Sequence, residues 1–187
     1  MTNPIEDARE IFLKGVARVD PRLLLGQAIS LEGGTMTVRH AEGACAYRLG
    51  DYGHVVVAGM GKAAAVLAMG REGILGGASE DGFVVAKSLA GERCARIRLA
   101  EGGHPVPDER SAAAGREILS LAERVRGYEA AGERTLVIVL ISGGGSALLA
   151  APAEGISLAD KAATTKLLLA SGAAIQEMNA VRKHLSA

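Results

Sequence analysis

Apolar residues are arranged in two regimes along the chain. Up to about residue 53 they recur at helical spacing or alternate with polar ones. From His54 onward they gather into short continuous runs separated by helical stretches. Asn3-Pro4-Ile5-Glu6 carries a helix start signal, with Asn3 as cap and Glu6 in the capping-box position. Ile5, Ala8, Phe12, Val16 and Val19 then fall on one face. Asp20-Pro21 repeats the signal, and residues 23–29 predict a second, shorter helix broken by Glu32-Gly33-Gly34. Two alternating pieces between Thr35 and Leu49, on either side of Ala41-Glu42-Gly43, predict a hairpin at the edge of the domain.

In the second regime the β-branched runs at 55–58, 83–86, 97–100 and 136–141 predict strands. The run Thr135-Leu136-Val137-Ile138-Val139-Leu140-Ile141 is unbroken, the pattern of a strand buried on both faces of a parallel sheet. Between the runs lie helices: one from the Gly59 turn to about Arg71, one capped by Asp108 to about Arg126, and one capped by Ser157 that stops at Ser171-Gly172. A last helical segment starts at Ala173. Ala147-Leu148-Leu149 should begin another helix directly after a glycine-rich turn. Strands alternating with helices predict a Rossmann-like, doubly wound, mainly parallel sheet in a three-layer α/β/α sandwich. Residues 1–53 form a helical and hairpin lead-in, and 54–187 the core.

Composition narrows the function. The 187 residues hold 21 basic and 21 acidic side chains, a formal net charge of zero, with no Trp, three Tyr and two Phe. Neither the basic excess of a nucleic-acid or membrane-surface binder nor its stacking platform is present. Cys45 and Cys94 lie in no CxxC and near no His at metal spacing, so no metal site is expected. Charged residues fill the N-terminus and no apolar run reaches membrane-spanning length, which predicts a cytoplasmic protein.

In doubly wound sheets ligands bind beyond the carboxyl ends of the strands. Three loops leave those ends here: Gly59-Met60-Gly61-Lys62, Glu101 to Asp108, and Ser142-Gly143-Gly144-Gly145-Ser146. The last, a glycine-rich strand-to-helix turn flanked by Ser142 and Ser146, offers several backbone N–H groups at one point, a seat for phosphate or carboxylate. A tight turn that binds nothing is the plain alternative. Gly59-x-Gly61-x-x-Ala64 matches a dinucleotide fingerprint, but no acidic residue ends the following strand to hold a ribose. Lys62 stands at a helix start, unfavourable for the dipole unless an anion lies nearby. His104 is either a base or phosphate ligand or an ordinary loop histidine. Asp108 is most simply an N-cap. Asn179 and Arg182, one helical turn apart, could reach a carboxylate or phosphate; Lys183 and His184 suit a helix C-terminus on dipole grounds alone.

Four stretches together resemble the class II glycerate kinases, whose members have often been labelled hydroxypyruvate reductases. They are Gly59-Met60-Gly61-Lys62-Ala63-Ala64, Glu101-Gly102-Gly103-His104-Pro105-Val106-Pro107-Asp108-Glu109, Ile141-Ser142-Gly143-Gly144-Gly145-Ser146-Ala147-Leu148, and Glu177-Met178-Asn179-Ala180-Val181-Arg182-Lys183-His184-Leu185-Ser186. The resemblance implies ATP-dependent phosphorylation of D-glycerate, usually to 2-phosphoglycerate, with Mg2+, and a catalytic role for Lys62. It also implies a cleft between two domains. The family's second domain is absent from this chain, so 1–187 is expected to be an incomplete N-terminal domain, inactive alone and prone to self-association. Two rivals remain open. One is an NAD(P)H-dependent reductase with pyrophosphate on the 59–64 turn and Lys87 on a 2′-phosphate; the other is a non-catalytic anion-binding module.

Overall fold

The structure, a computed structural model, describes residues 3–78 and 81–187. Helix α1 (Pro4–Arg18) and helix α2 (Pro21–Ala28) lead into strands β1 (Ile29–Glu32), β2 (Thr35–His40) and β3 (Gly43–Arg48). The core follows as β4 (His54–Met60), α3 (Ala64–Leu75), β5 (Asp81–Ala86), β6 (Arg98–Glu101), α4 (Glu109–Ala130) and β7 (Thr135–Ile141). Helices α5 (Gly145–Leu148), α6 (Leu158–Ala170) and α7 (Ile175–His184) complete it.

β1, β2 and β3 form an antiparallel meander, so the expected hairpin is there with an extra strand before it. That strand, β1, begins where the second helix was expected to end: Ile29 and Leu31 join Leu25, Met36 and Leu75 in a core shared with α3. Asn3 caps α1, accepting from the Ile5 amide, but Ile5, Phe12, Val16 and Val19 are all more than half exposed. The amphipathic face is real and lies uncovered.

The second sheet is parallel, in the order β6-β5-β4-β7. The chain moves outward from β4 to β6 and then returns to lay β7 on the other side of β4, which puts the switch point between β4 and β7. α3 packs one face against Val57, Val84 and Leu140. α4 packs the other against Val56, Phe83 and Val85. The three-layer α/β/α architecture is as expected.

The expectation for β7 needs correction. The strand forms and spans the full apolar run, but it lies at the edge of the sheet. Leu136, Ile138 and Leu140 face the cores shared with α3, while Val137, Val139 and Ile141 are 42, 51 and 69% exposed. An unbroken run reports two apolar faces; it does not report whether both are covered. α4 covers β4 to β6 and leaves an apolar groove of about 180 Å³ between itself and Val137.

The helix ends follow the polar signals. Asp108 accepts from the Ser111 amide and Ser157 from the Asp160 amide, each in a reciprocal capping box. Helix α5 is the exception: it lasts a single turn, because Leu149 turns extended and the Ala150 amide donates to Ser111 O on α4. Arg71 on α3 is fully buried and its guanidinium has no hydrogen-bond partner among the described residues. Burial pulls its pKa down to about 10.

Two contrasts test this packing. A Cβ on Gly115 of α4 would meet Ala150 O at 2.2 Å, whereas one on Gly127 of the same helix meets nothing within 4 Å. Denaturant unfolding should show Gly115→Ala destabilised by about 1–3 kcal/mol and Gly127→Ala stabilised by about 0.5–1 kcal/mol. Equal effects would contradict the close crossing. Replacing the buried Arg71, whose guanidinium has no hydrogen-bond partner among the described residues, with Met should raise stability by about 1–4 kcal/mol, since apolar replacement of a buried charge removes its desolvation cost. A melting temperature below that of the parent would contradict it.

Candidate active site

The loops after β4 and β7 are stitched together. The Ser142 amide donates to Met60 O at 3.0 Å, the Lys62 amide to Gly143 O at 2.9 Å, and the Ala63 amide to Ser142 Oγ at 3.0 Å. Gly61 makes the approach possible. Its φ is +132°, and a Cβ there would sit 2.1 Å from Ser142 Oγ and 2.4 Å from Ser142 O. Gly59 lies within β4, where a Cβ would press on Val84 at 2.9 Å and Leu140 O at 3.0 Å. Both glycines therefore have packing reasons. The amides of the first turn are also engaged: Gly61 donates to Val85 O and Ala64 to Gly61 O. None of the amides from Gly61 to Ala64 is left for a ligand.

The second loop is the reverse. Among the described residues, the amides of Gly143, Gly144, Gly145 and Ser146 donate to no protein acceptor. Gly144 has a φ of +92° and lies beneath two side chains; a Cβ there would meet His104 Nε2 at 2.9 Å and Lys62 Cε at 3.1 Å. Lys62, exposed at the start of α3, thus folds over the loop that its own backbone is bonded to. The anion seat rests on this loop's conformation more than on the one-turn α5, whose dipole is short.

His104 comes from the loop after β6. That loop is shaped from behind by Asp108, whose Oδ1 accepts from the Gly103 and Ser111 amides while Oδ2 takes both donors of Arg110. Burial alone would raise the Asp108 pKa; the Arg110, Ser111 and Gly103 hydrogen bonds outweigh it and hold the carboxyl below its ordinary range. Both oxygens are occupied, so Asp108 acts as cap and loop anchor and does not enter the cleft. The His104 pKa is lowered, first by burial and then by the positive charges of Lys62, Lys87 and Arg182.

α7 closes the other side. A cleft of about 400 Å³ is lined by Lys62, His104, Gly144, Ser146, Asn179 and Arg182, with an apolar wall from Leu169, Ile175 and Met178. Arg182 Nε and Nη2 are buried and have no hydrogen-bond partner among the described residues, and burial lowers the group's pKa. A guanidinium, a lysine, a histidine and two loop residues with unengaged amides, Gly144 and Ser146, line one space. That donor set suits an oxyanion. No carboxylate lines the cleft, and no group of three His, Cys, Asp or Glu stands together among the described residues. These residues do not fit a protein-held Mg2+.

The structure thus brings together Lys62, His104, Gly144, Ser146, Asn179 and Arg182. Gly143 and Gly145 lie in the same loop, and Ser142 bonds the two loops to each other. Gly59, Gly61 and Asp108 shape the site from outside it. That apolar residues would wall this cleft, and the pull of Lys87 on His104, were not foreseen. Both depend on contacts between distant segments; the sequence offered only an expectation of uncovered apolar surface around residues 167–175, which include Leu169 and Ile175, and the 2′-phosphate reading of Lys87.

The family described as a domain of unknown function, DUF4147, matches residues 7–187. A glycerate 2-kinase of Pyrococcus horikoshii is 49% identical over 134 residues, which is 72% of this chain and 29% of that protein. The crystal structure of the PH0495 protein from Pyrococcus horikoshii OT3 superposes with a TM-score of 0.76 at 42% identity, over 96% of this chain and 39% of that one. A glycerate kinase from Thermotoga maritima superposes with a TM-score of 0.60 at 39% identity, over 71% of this chain and 31% of that one. The match therefore spans about a third of each relative's length. With its motifs, its fold and nearly all its residues matched, the chain belongs to the DUF4147 family and is similar to part of proteins named glycerate kinases.

Proposed function

We propose that this chain carries the phosphate-binding part of an ATP-dependent glycerate 2-kinase acting on D-glycerate. The observation that supports it best is the meeting of Lys62, His104 and Arg182 with the unengaged amides of Gly144 and Ser146 in one cleft that no carboxylate lines among the described residues. In phosphoryl transfer a glycerate oxygen bonds to the γ-phosphorus while the bond to the β–γ bridging oxygen breaks. ADP leaves with the electron pair, and the hydroxyl proton passes to water. Charge on the transferring group is what the protein must stabilise, and fixed cations and amides do that without reorganising. Lys62, Arg182 and the 143–146 amides are the groups this chain contributes. Mg2+ would arrive with the nucleotide.

The reductase alternative fits less well. It needs amides free on the 59–64 turn for a pyrophosphate, and those amides are engaged with protein acceptors.

Three apolar surfaces support reading the chain as one part of a larger site: the α1 face, the outer side of β7, and Leu167, Ile175 and Val181 at α6 and α7. Alone, such surfaces favour self-association. A cleft open to water also leaves the phosphoryl group unclamped.

Three outcomes follow. First, the chain alone, given ATP and D-glycerate, should form no phosphoglycerate at the ~1–100 s⁻¹ of competent kinases; turnover in that range would overturn the partial-site reading. Second, in a longer protein carrying this segment, Lys62→Ala should lower kcat about 10²–10³-fold with little change in melting temperature, because an exposed lysine adds little stability. Unchanged kcat would leave Lys62 a solvated surface charge. Third, His104 has a folded pKa below its ordinary 6.5, so the unfolded chain takes up the proton first. Its contribution to stability is full above 6.5 and declines as pH falls through the folded value. Inorganic phosphate in the cleft should raise that pKa, visible in the His104 ring proton titration by NMR. A titration indifferent to phosphate would place the anion elsewhere.

A further inference from the structure

Lys161 is 2% exposed, lies in the first turn of α6 where the helix dipole disfavours a cation, and is paired with no carboxylate among the described residues. Among the described residues only Arg71 is a more deeply buried cation. A lysine kept there under those conditions needs a reason. Its Nζ reaches the far end of α7, donating to Leu185 O at 3.2 Å and to Ser186 Oγ. Ser186 Oγ in turn donates to Arg182 O at 2.9 Å. The same segment is pinned from the other side, where the Ala153 amide donates to Leu185 O and the Ala187 amide to Ala151 O.

α7 has no buried residue of its own and rests chiefly on α6. Its hold on the domain is therefore polar and concentrated at its C-terminal turn, one turn beyond the residue that faces the cleft. A cation at a helix C-terminus is favourable to the dipole, so Lys161 is placed badly for its own helix and well for the next.

We propose that Lys161 is a positioning residue for the anion site, acting through Ser186 and the last turn of α7 to hold the Arg182 guanidinium in the cleft. This rests on the anion-site reading above. Lys161 does not line the cleft and touches no ligand. Its ammonium is held by carbonyl and hydroxyl acceptors, and the Arg182 charge lowers its pKa after burial does. The two cations repel each other, so the arrangement is maintained by the hydrogen bonds to the chain between them.

The test is a double-mutant cycle on this chain with inorganic phosphate as probe, read as the affinity that shifts the Gly144 amide in NMR. Arg182→Gln should weaken phosphate about tenfold, the scale of one charge-assisted hydrogen bond. Lys161→Met should weaken it to a similar extent, and the double variant should bind no worse than Arg182→Gln alone. Lys161→Arg should recover part of the loss. The melting temperature of Lys161→Met should hold or rise, because an unpaired buried charge has been removed, while hydrogen exchange in the last turn of α7 quickens.

Wild-type affinity in Lys161→Met, or losses that add in the double variant, would overturn the proposal. If Lys161→Met does not fold, Ser186→Ala breaks the same relay at an exposed hydroxyl. Its affinity should fall without adding to the Arg182→Gln loss, and wild-type affinity there would be equally decisive against the idea. If Lys62→Ala and Arg182→Gln bind phosphate as the parent does, or the parent does not bind it, the anion-site reading fails and this inference falls with it. If those two weaken binding and Lys161→Met does not, the inference alone fails.

Discussion

The Lys62 amide donates to Gly143 O, and on that bond the rest of the site depends. It ties the turn after β4 to the turn after β7 at the switch point of the sheet, and so fixes where the lysine side chain can go. The constraint starts further back, in the parallel register that sets Met60 opposite Ile141. With the strands level, both turns leave the sheet at one height. Ser142 is then close enough to accept from Ala63, and only glycine fits at position 61. Sheet register, loop contact and cation placement form one chain of cause.

Much of the frame was legible in the sequence. β4, β5 and β7 appear as β-branched runs, β6 (Arg98–Glu101) forms one residue later than the 97–100 run that predicted it, and Asp108 and Ser157 cap the helices they were expected to cap. Those signals are local: a run of apolar side chains or an acceptor just ahead of a helix carries its meaning with it. What escaped was relational. Val139 reads as buried because its type is apolar, yet it is half exposed because no element among the described residues covers it. Ile29 reads as the end of a helix, yet it opens a strand because Met36 and Leu75 offer it a core.

The site divides along the same line. Lys62, Ser146, Asn179 and Arg182 were recognisable as polar residues on three separate loops or helices, and they do meet. Which amides remained available could not be read, since that depends on acceptors far away in sequence. The two glycine turns look alike on the page. One closes its donors against Val85, Gly143 and Ser142, and the other presents them outward. Lys161 shows the limit most clearly: nothing in its neighbours along the chain hints that its ammonium belongs to the end of another helix.

The difference between those turns bears on how genetic variation in this domain should be interpreted. A side chain at Gly61 has no room among backbone atoms, so variants there lower the amount of folded protein wherever the chain is made. A side chain at Gly143 meets nothing within 4 Å, and abundance should be spared. Two positions of identical residue type, in loops bonded to one another, would thus separate in any survey that scores protein level and function independently. Inheritance of a defect at the first would follow dosage, and at the second, chemistry.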